Sequence, residues 1–364
     1  MVQPEGDELV TNGRRVVVAM SGGVDSSVAA ALLVEQGYEV VGVMMRLWAE
    51  RENRCCAPEA VDDARQVAAQ LGIPFHVVDY GQEFKRCVVD YFLREYSQGR
   101  TPNPCLACNR HIRFGQLLRH AQASNADKLA TGHYARIEQE EGQLHLRMGL
   151  DPSKDQSYVL YMLGQDELNH VLFPLGEFTK EQIRSMARAR GLAVADKEES
   201  MDLCFVMDGD YRRFLRQYAP EAVQPGPILD GTGRELGEHS GLPFYTIGQR
   251  RGLGIAAPEA LYVTRLDTAN NALIVGPARE LGQSSLTAAQ VSYISDRQPE
   301  QPVHVQVKIR YRASLTEGTW IPLADRHARV EFASPLRDIT PGQAVVAYQQ
   351  DRVLGGGIIM GSGE

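Results

Sequence analysis

A doubly wound α/β domain followed by β-rich units is the fold class this chain predicts, on three observations. Over the first 150 residues short β-branched runs alternate with helical patterns, which is the signature of βαβ units and a parallel sheet. Near residue 205 the pattern changes, and from Pro225 onward Gly and Pro punctuate short strands with no long helical period. Third, a Gly-Gly loop follows the first strand directly, where open α/β sheets take their ligands.

The elements follow in order. RVVVAM is the first strand and SSVAAALLVEQG its helix; EVVGVMMRLW, PEAVDDARQVAAQLG, PFHVVD and QEFKRCVVDYFLREY continue the alternation. After the loop RTPNPCLACN comes a helix over 110–122, then a strand around KLATGHYARI that extends the same sheet. Residues 152–191 read as largely helical, with Thr179 as a cap and Gly191 as a stop. FYTI, LYVTRL and ALIVG read as short strands, the last two joined by DTANN. From about 285, QVSYI, VHVQVKIRYR, ARVEF and AVVAYQQ form a small all-β unit, a barrel or a sandwich.

Composition narrows the class. With 364 residues, 43% apolar and 23% charged, the chain is globular rather than disordered, collagenous or coiled-coil, and long enough for two or three domains. Its apolar runs are too short to span a membrane and MVQPEGDELV is no signal peptide, so a soluble, cytoplasmic protein is expected. The net charge of −8 argues against nucleic-acid binding by bulk charge. Local clusters remain: Arg94, Arg100, Arg110, Arg113 and Arg119, and KIRYR at 308–312, are candidate polyanion contacts. Six cysteines in such a chain point to catalysis, redox chemistry or metal rather than a disulfide framework.

The loop SGGVDSS (21–27) is built to cradle phosphate. Its glycines let backbone approach a ligand, and the helix behind it aims its first amides at an anion. It lacks the lysine of a Walker loop and the spacing of a dinucleotide fingerprint. Hydroxyls on Ser21, Ser26 and Ser27, with Asp25 able to hold magnesium, suit a bound pyrophosphate and cleavage at the α-phosphate.

SGGVDSS resembles the PP-loop of ATP pyrophosphatases, which adenylate a carbonyl oxygen and release pyrophosphate. With TPNPCLACN (101–109), TGHYAR (131–136), KDQSYVL (154–160), DLCFV (202–206) and FYTIGQRRGLG (244–254), the chain is similar nearly end to end to the tRNA-specific 2-thiouridylases. The resemblance implies a PP-loop catalytic domain (1–208), a central domain (209–282) and a C-terminal β-barrel (283–364) that clasp tRNA and exchange the 2-oxygen of its wobble uridine for sulfur. Adenylation makes that oxygen part of a good leaving group, AMP.

By the same resemblance Ala19, Met20, Ser21, Gly22, Gly23, Val24, Asp25, Ser26, Met45 and Gly132 touch ATP. Asn103, Pro104 and Cys105 meet the flipped base, His133, Lys154, Asp155 and Gln156 approach the tRNA, and Arg310, Tyr311 and Gln343 make its far contacts. Read without the family, His133 is a core histidine and Asp155 a helix cap. Sulfur chemistry needs partly exposed, electropositive thiols. The resemblance assigns Cys204 the persulfide and Cys108 the attack that releases its sulfur, leaving a Cys108–Cys204 disulfide. The implied partners are tRNA and a persulfide-donating sulfur-relay protein or cysteine desulfurase, with the chain a monomer or weak dimer. Cys55, Cys56 and Cys87 are bystanders.

One departure opens a second route. Many family members carry Asp where this chain has Cys105, so NPCLAC contains an additional thiol. Cys105, Cys108 and Cys204 could then hold a four-iron four-sulfur cluster whose open iron carries sulfide. Two readings outside this activity are another PP-loop ligase, which needs neither Cys108 nor Cys204, and a non-enzymatic RNA-binding iron–sulfur sensor, which releases no pyrophosphate.

Overall fold

The structure, a computed structural model, describes residues 13–50, 58–198, 203–206 and 208–361. Five parallel strands form the first sheet in the order β3-β2-β1-β4-β7: β1 (Arg15–Ala19), β2 (Glu39–Arg46), β3 (Phe75–Asp79), β4 (Lys128–Ala130) and β7 (Val171–Leu172). The continuous valine run of β1 follows from burial on both faces. Val16 and Val18 join one core with α1 (Val24–Glu35), α2 (Pro58–Gln70) and α8 (Lys180–Ala189), while Val17 faces a second core. That second core holds two long helices. One runs through α3 (Gly81–Phe84), a π-helical turn (Lys85–Val89) and α4 (Asp90–Ser97). The other runs through α5 (Pro104–Ala107), a π-helical stretch (Cys108–Leu117) and α6 (Leu118–Ala123).

The KLATGHYARI segment does not stay in one sheet. β4 ends at Ala130, and β5 (Ala135–Glu140) turns back against β6 (Gln143–Met148) as a hairpin. That hairpin leaves the first domain's sheet, and Arg147 of β6 pairs with Arg352 of the barrel. The 152–191 region is less helical than expected. Gly164, Pro174 and Gly176 break it, leaving α7 (Gln165–His170), the edge strand β7 and α8. Thr179 does cap α8, in a reciprocal box with Gln182, and Gly191 ends it at φ +60°.

The central unit comprises α9 (Tyr211–Tyr218) and a sheet ordered β10-β11-β8-β9, from β8 (Gly226–Asp230), β9 (Glu235–His239), β10 (Leu261–Asp267) and β11 (Ala272–Pro277). DTANN is the β10–β11 hairpin turn, with Asn271 at φ +48°. FYTI is no strand. Pro243 lies in a 3₁₀ turn, Leu242–Phe244, and the chain continues as turns.

The last unit resolves as a barrel. Its strands are β12 (Gln283–Tyr293), β13 (Val303–Lys308), β14 (Thr316–Pro322), β15 (Ala328–Leu336), β16 (Ala344–Gln349) and β17 (Arg352–Gly361). β12 pairs with both β15 and β17, which closes the six strands around Trp320, Val330 and Val345. No helix among the described residues is long and apolar enough to cross a membrane.

Candidate active site

The phosphate loop lies between β1 and α1. Gly22 has φ +69°, and a Cβ there would overlap the carbonyl oxygen of Ala60 on α2. Ser26 Oγ accepts from Ser21 N–H (3.1 Å) and lies 3.2 Å from Ser21 Oγ, while Ser27 Oγ donates to Gly23 O (2.8 Å). The serines therefore tie the loop to itself. Gly23 leaves the first turn of α1 without a side-chain cap, so its amides face outward for an anion. Met20 and Val24 are buried and Ala19 and Met45 half-buried beneath the loop. Gly132, just past β4, comes so close that its Cβ would stand 3.0 Å from Ser26 N.

Sequence reasoning missed the cations. Lys180, the first residue of α8, places Nζ 2.7 and 2.8 Å from the two Asp25 carboxylate oxygens, and Tyr134 OH donates to the same carboxylate at 2.7 Å. Lys197 Nζ donates to Gly22 O (2.9 Å) and to Asp63 (2.5 Å). Two lysines from elsewhere in the chain thus stand beside a loop that has none of its own. The Thr179 cap that precedes Lys180 was the available signal.

The thiols sit on the second core. Asn103 Oδ1 accepts from Cys105 N–H (3.1 Å) and Pro104 occupies the first helical position, a sequence made for starting a helix. Cys105 is exposed on that helix. Three residues on, Cys108 is only 6% exposed. Burial pushes its thiol up from the usual cysteine range, and Arg113 opposes the shift. Arg113 donates to Asn109 Oδ1 (2.6 Å), whose own amide donates to Val159 O (2.8 Å). Cys204 is half-buried against the same core, beside Phe205, which packs on Phe84, Phe92 and Phe214 at 6.0, 5.2 and 5.4 Å. Cys108 thus departs from the partly exposed thiol expected. A cluster does not fit either: among the described residues no three His, Cys, Asp or Glu side chains are placed to hold a metal. Cys87 is half-buried, and Cys55 and Cys56 lie outside the described residues.

Of the residues expected at tRNA, Asp155 and Gln343 lie where the barrel meets the first domain, bonded to Lys308 and Thr101. Asp155 is buried, accepting from Gly149 N–H, Ser157 N–H, Ser157 Oγ and Lys308 Nζ, each at 3.1 Å. Its Oδ1 holds the first amide of the turn Ser157–Leu160, whose N-cap position is Gln156 rather than Asp155, and its Oδ2 is one half of an inter-domain ion pair. Gln156 accepts from Tyr134 N–H (3.0 Å), and Lys154 is half-buried. Tyr311 stands 6.0 Å from Tyr158, and its hydroxyl is pushed up by burial and then by the negative charges of Asp155 and Cys105, with Arg312 opposing. His133 is buried between Phe114 and Phe173, 5.9 Å from each, with Nδ1 2.7 Å from Thr131 Oγ1. Burial, then Arg113, hold it well below the usual histidine range. Arg310 donates to Ile247 O (3.1 Å), Asp338 O (2.9 Å) and Thr340 Oγ1, and Gln343 Nε2 to Thr101 O (2.8 Å). His133, Arg310 and Gln343 therefore serve the protein's own packing here.

Three family models match in succession: the tRNA methyl transferase HUP domain over residues 14–208, the tRNA methyl transferase PRC-barrel domain over 212–277, and the aminomethyltransferase beta-barrel domain over 283–359. Curated relatives match over nearly the whole length. A protein of Roseiflexus sp. strain RS-1 named tRNA-specific 2-thiouridylase MnmA is 50% identical, the match covering 95% of this chain and 99% of the relative. One of the same name from Moorella thermoacetica is 52% identical over 94% of this chain and 98% of its own. A third, from Clostridium perfringens, is 47% identical over 95% and 98%. By full-length identity and domain order, the chain belongs to the tRNA-specific 2-thiouridylase family.

Proposed function

We propose that this chain is an ATP-dependent sulfurtransferase that replaces the 2-oxygen of the wobble uridine of tRNA with sulfur drawn from a cysteine persulfide. The observation that carries the reading is half-identity, from end to end, to relatives named tRNA-specific 2-thiouridylases. The uridine oxygen attacks the α-phosphorus of ATP and pyrophosphate leaves. The amides of α1, Ser21, Ser26, Lys180 and Lys197 hold the phosphates, and Ala19, Met20, Met45 and Gly132 line the approach of ATP. Asp25 with the neighbouring hydroxyls is a hard-oxygen donor set that fits magnesium, which supplies charge neutralisation on the phosphates. Asn103, Pro104, Cys105, Lys154 and Tyr311 face the RNA.

Cys108 thiolate then attacks Sγ of the Cys204 persulfide. Its electron pair forms the Cys108–Cys204 bond, and the persulfide S–S pair leaves with hydrosulfide. Hydrosulfide adds to C2, the C–O bond breaks, AMP departs and the remaining S–H proton is lost to solvent. A thiol reductant returns the disulfide to two thiols, and a persulfide-bearing protein reloads Cys204. Because Cys108 is buried and its thiol raised, substrate binding has to open this turn before attack. Mass spectrometry of tRNA nucleosides after incubation with ATP, magnesium and a persulfide donor tests the reading: 2-thiouridine should appear with pyrophosphate, and its absence refutes it.

A further inference from the structure

The turn carrying Cys105 and Cys108 is held from the far end of the chain. Thr101, just ahead of it, donates its N–H to Pro341 O (2.9 Å) and accepts at its carbonyl from Gln343 Nε2 (2.8 Å). Its hydroxyl lies 3.3 Å from Thr246 Oγ1 of the central unit. Between the two barrel contacts, Gly342 has φ +91°, and a Cβ there would stand 2.9–3.0 Å from Thr101 N, C and O. The two main chains touch with no room for a side chain. The barrel side is itself fixed, since Gly342 N–H donates to Ile359 O (2.9 Å) and Ile359 N–H to Gln343 O (2.8 Å).

From Thr101 the chain runs Thr-Pro-Asn-Pro into the helix. Each proline locks its own φ and drives the preceding residue into extended backbone, and Asn103 is extended, at φ −107° and ψ 101°. Pro102 and Pro104 are both buried. Four residues with so few soft torsions transmit a displacement rather than absorb it. The Asn103 cap on Cys105 N–H joins this strut to the thiol-bearing turn.

We propose that Thr101, Gly342 and Gln343 are positioning residues which, through the Thr101–Pro104 strut, set the register of Cys108 for sulfur transfer while leaving adenylation untouched. The inference rests on the reading of Cys108 as the attacking thiol. It gives the docked barrel a part in the chemistry separate from holding RNA.

Two variants test it. Gly342→Ala drives a methyl group into the Thr101 backbone, and Gln343→Ala removes one bond without adding bulk. With MgATP, tRNA and a persulfide-charged donor protein, pyrophosphate and 2-thiouridine are counted in the same reaction. The 2-thiouridine formed per pyrophosphate should fall about tenfold in Gly342→Ala and less in Gln343→Ala, a part of the roughly hundredfold that a full 1 Å misplacement of a reacting group costs. At saturating tRNA, pyrophosphate release should stay near wild type in Gly342→Ala, and Gln343→Ala, at a residue expected at the RNA, is read by the product ratio alone. In the protein alone, iodoacetamide labelling of Cys108, located by peptide mass spectrometry, should quicken. An unchanged ratio and labelling rate overturn the proposal. So does a parallel loss of both products with weaker tRNA binding, which makes these residues RNA contacts only. Cys108→Ser runs alongside: thiolation surviving there refutes the role of Cys108 itself, whatever the barrel variants do.

Discussion

Lys308→Met should loosen the barrel from the first domain by an amount the geometry sets. Lys308 Nζ lies 3.1 Å from Asp155 Oδ2, and the two side chains are 11% and 1% exposed. Removing one partner of a buried pair costs about 3–5 kcal/mol, because the other charge stays buried. Asp155 keeps three neutral donors, from Gly149 and Ser157, which solvate part of that charge. Met preserves the aliphatic stem, although the Nζ cation 5.6 Å over the Tyr348 ring is lost with the charge. The expected loss is therefore about 3 kcal/mol, at the lower end of that range. Adding Asp155→Asn removes the stranded charge and should recover most of it. The chain has two tryptophans, Trp48 packed on Phe214 and Tyr218, and Trp320 buried in the barrel. Urea denaturation followed by Trp320 fluorescence in a Trp48→Phe background reads the barrel directly. A loss below about 1 kcal/mol, the level of an exposed pair, or a double variant no more stable than the single, would refute the argument.

Asp25→Ala should end pyrophosphate release with an unchanged circular dichroism spectrum, because its half-buried carboxylate, on the first turn of α1, meets the polar tips of Lys180 and Tyr134 rather than the core. Lys180→Met should weaken ATP binding about tenfold, the scale of one charge-assisted hydrogen bond, and AMP binding far less; equal losses in a titration of both nucleotides would place Lys180 away from the outer phosphates. Cys108→Ser and Cys204→Ser should each lose 2-thiouridine yet still bind ATP and tRNA, whereas Cys105→Ser should keep substantial thiolation in air; colour and activity lost together in all three would restore the cluster. The buried, neutral state of His133 carries a pH signature. The unfolded chain protonates this residue near pH about 6.5 and the folded chain resists, so its stability contribution is complete above that pH and declines as pH falls below it, by at most about 1.4 kcal/mol per pH unit. Denaturation at a series of pH values should show a shallower decline in His133→Gln, and an identical slope counts against the burial argument.

The first sheet was legible because its signals are local. A run of three valines in the middle of a strand is what burial on both faces requires, and Val16, Val17 and Val18 serve two cores. The phosphate loop, the Thr179 cap, the Gly191 stop and the DTANN turn were likewise legible, each a short-range choice of residue. What the sequence hid depends on chain crossing space. Lys180 and Lys197 reach the loop from more than 150 positions away, as the contacts with Asp25 and Gly22 show. The exposure of Cys108 is decided by its place in the second core, which its spacing from Cys105 does not encode. Gly132 and His133 marked the end of β4, but nothing local reveals that the next strand belongs to a different sheet.

The β5–β6 hairpin has a consequence for how the chain is made. Its partner strand β17 is the last strand of the described residues, and 204 positions separate Met148 from Arg352. At ribosomal speed that is on the order of 10–40 s during which the hairpin has emerged and its neighbour does not yet exist. Within the hairpin alone, Arg147 has partners in Glu138 and Glu140, and Arg136 in Glu138. Only afterwards does Asp351 arrive, taking Arg136 and Arg147 at 2.6 Å each, while Arg352 joins Glu140. The acidic residues of β5 thus act as built-in placeholders, keeping two arginines occupied in the nascent chain until the final hairpin completes the sheet. A messenger truncated just before β17 would leave both the barrel open and this edge uncovered, so premature termination there should yield a product handed to proteolysis rather than a shortened enzyme.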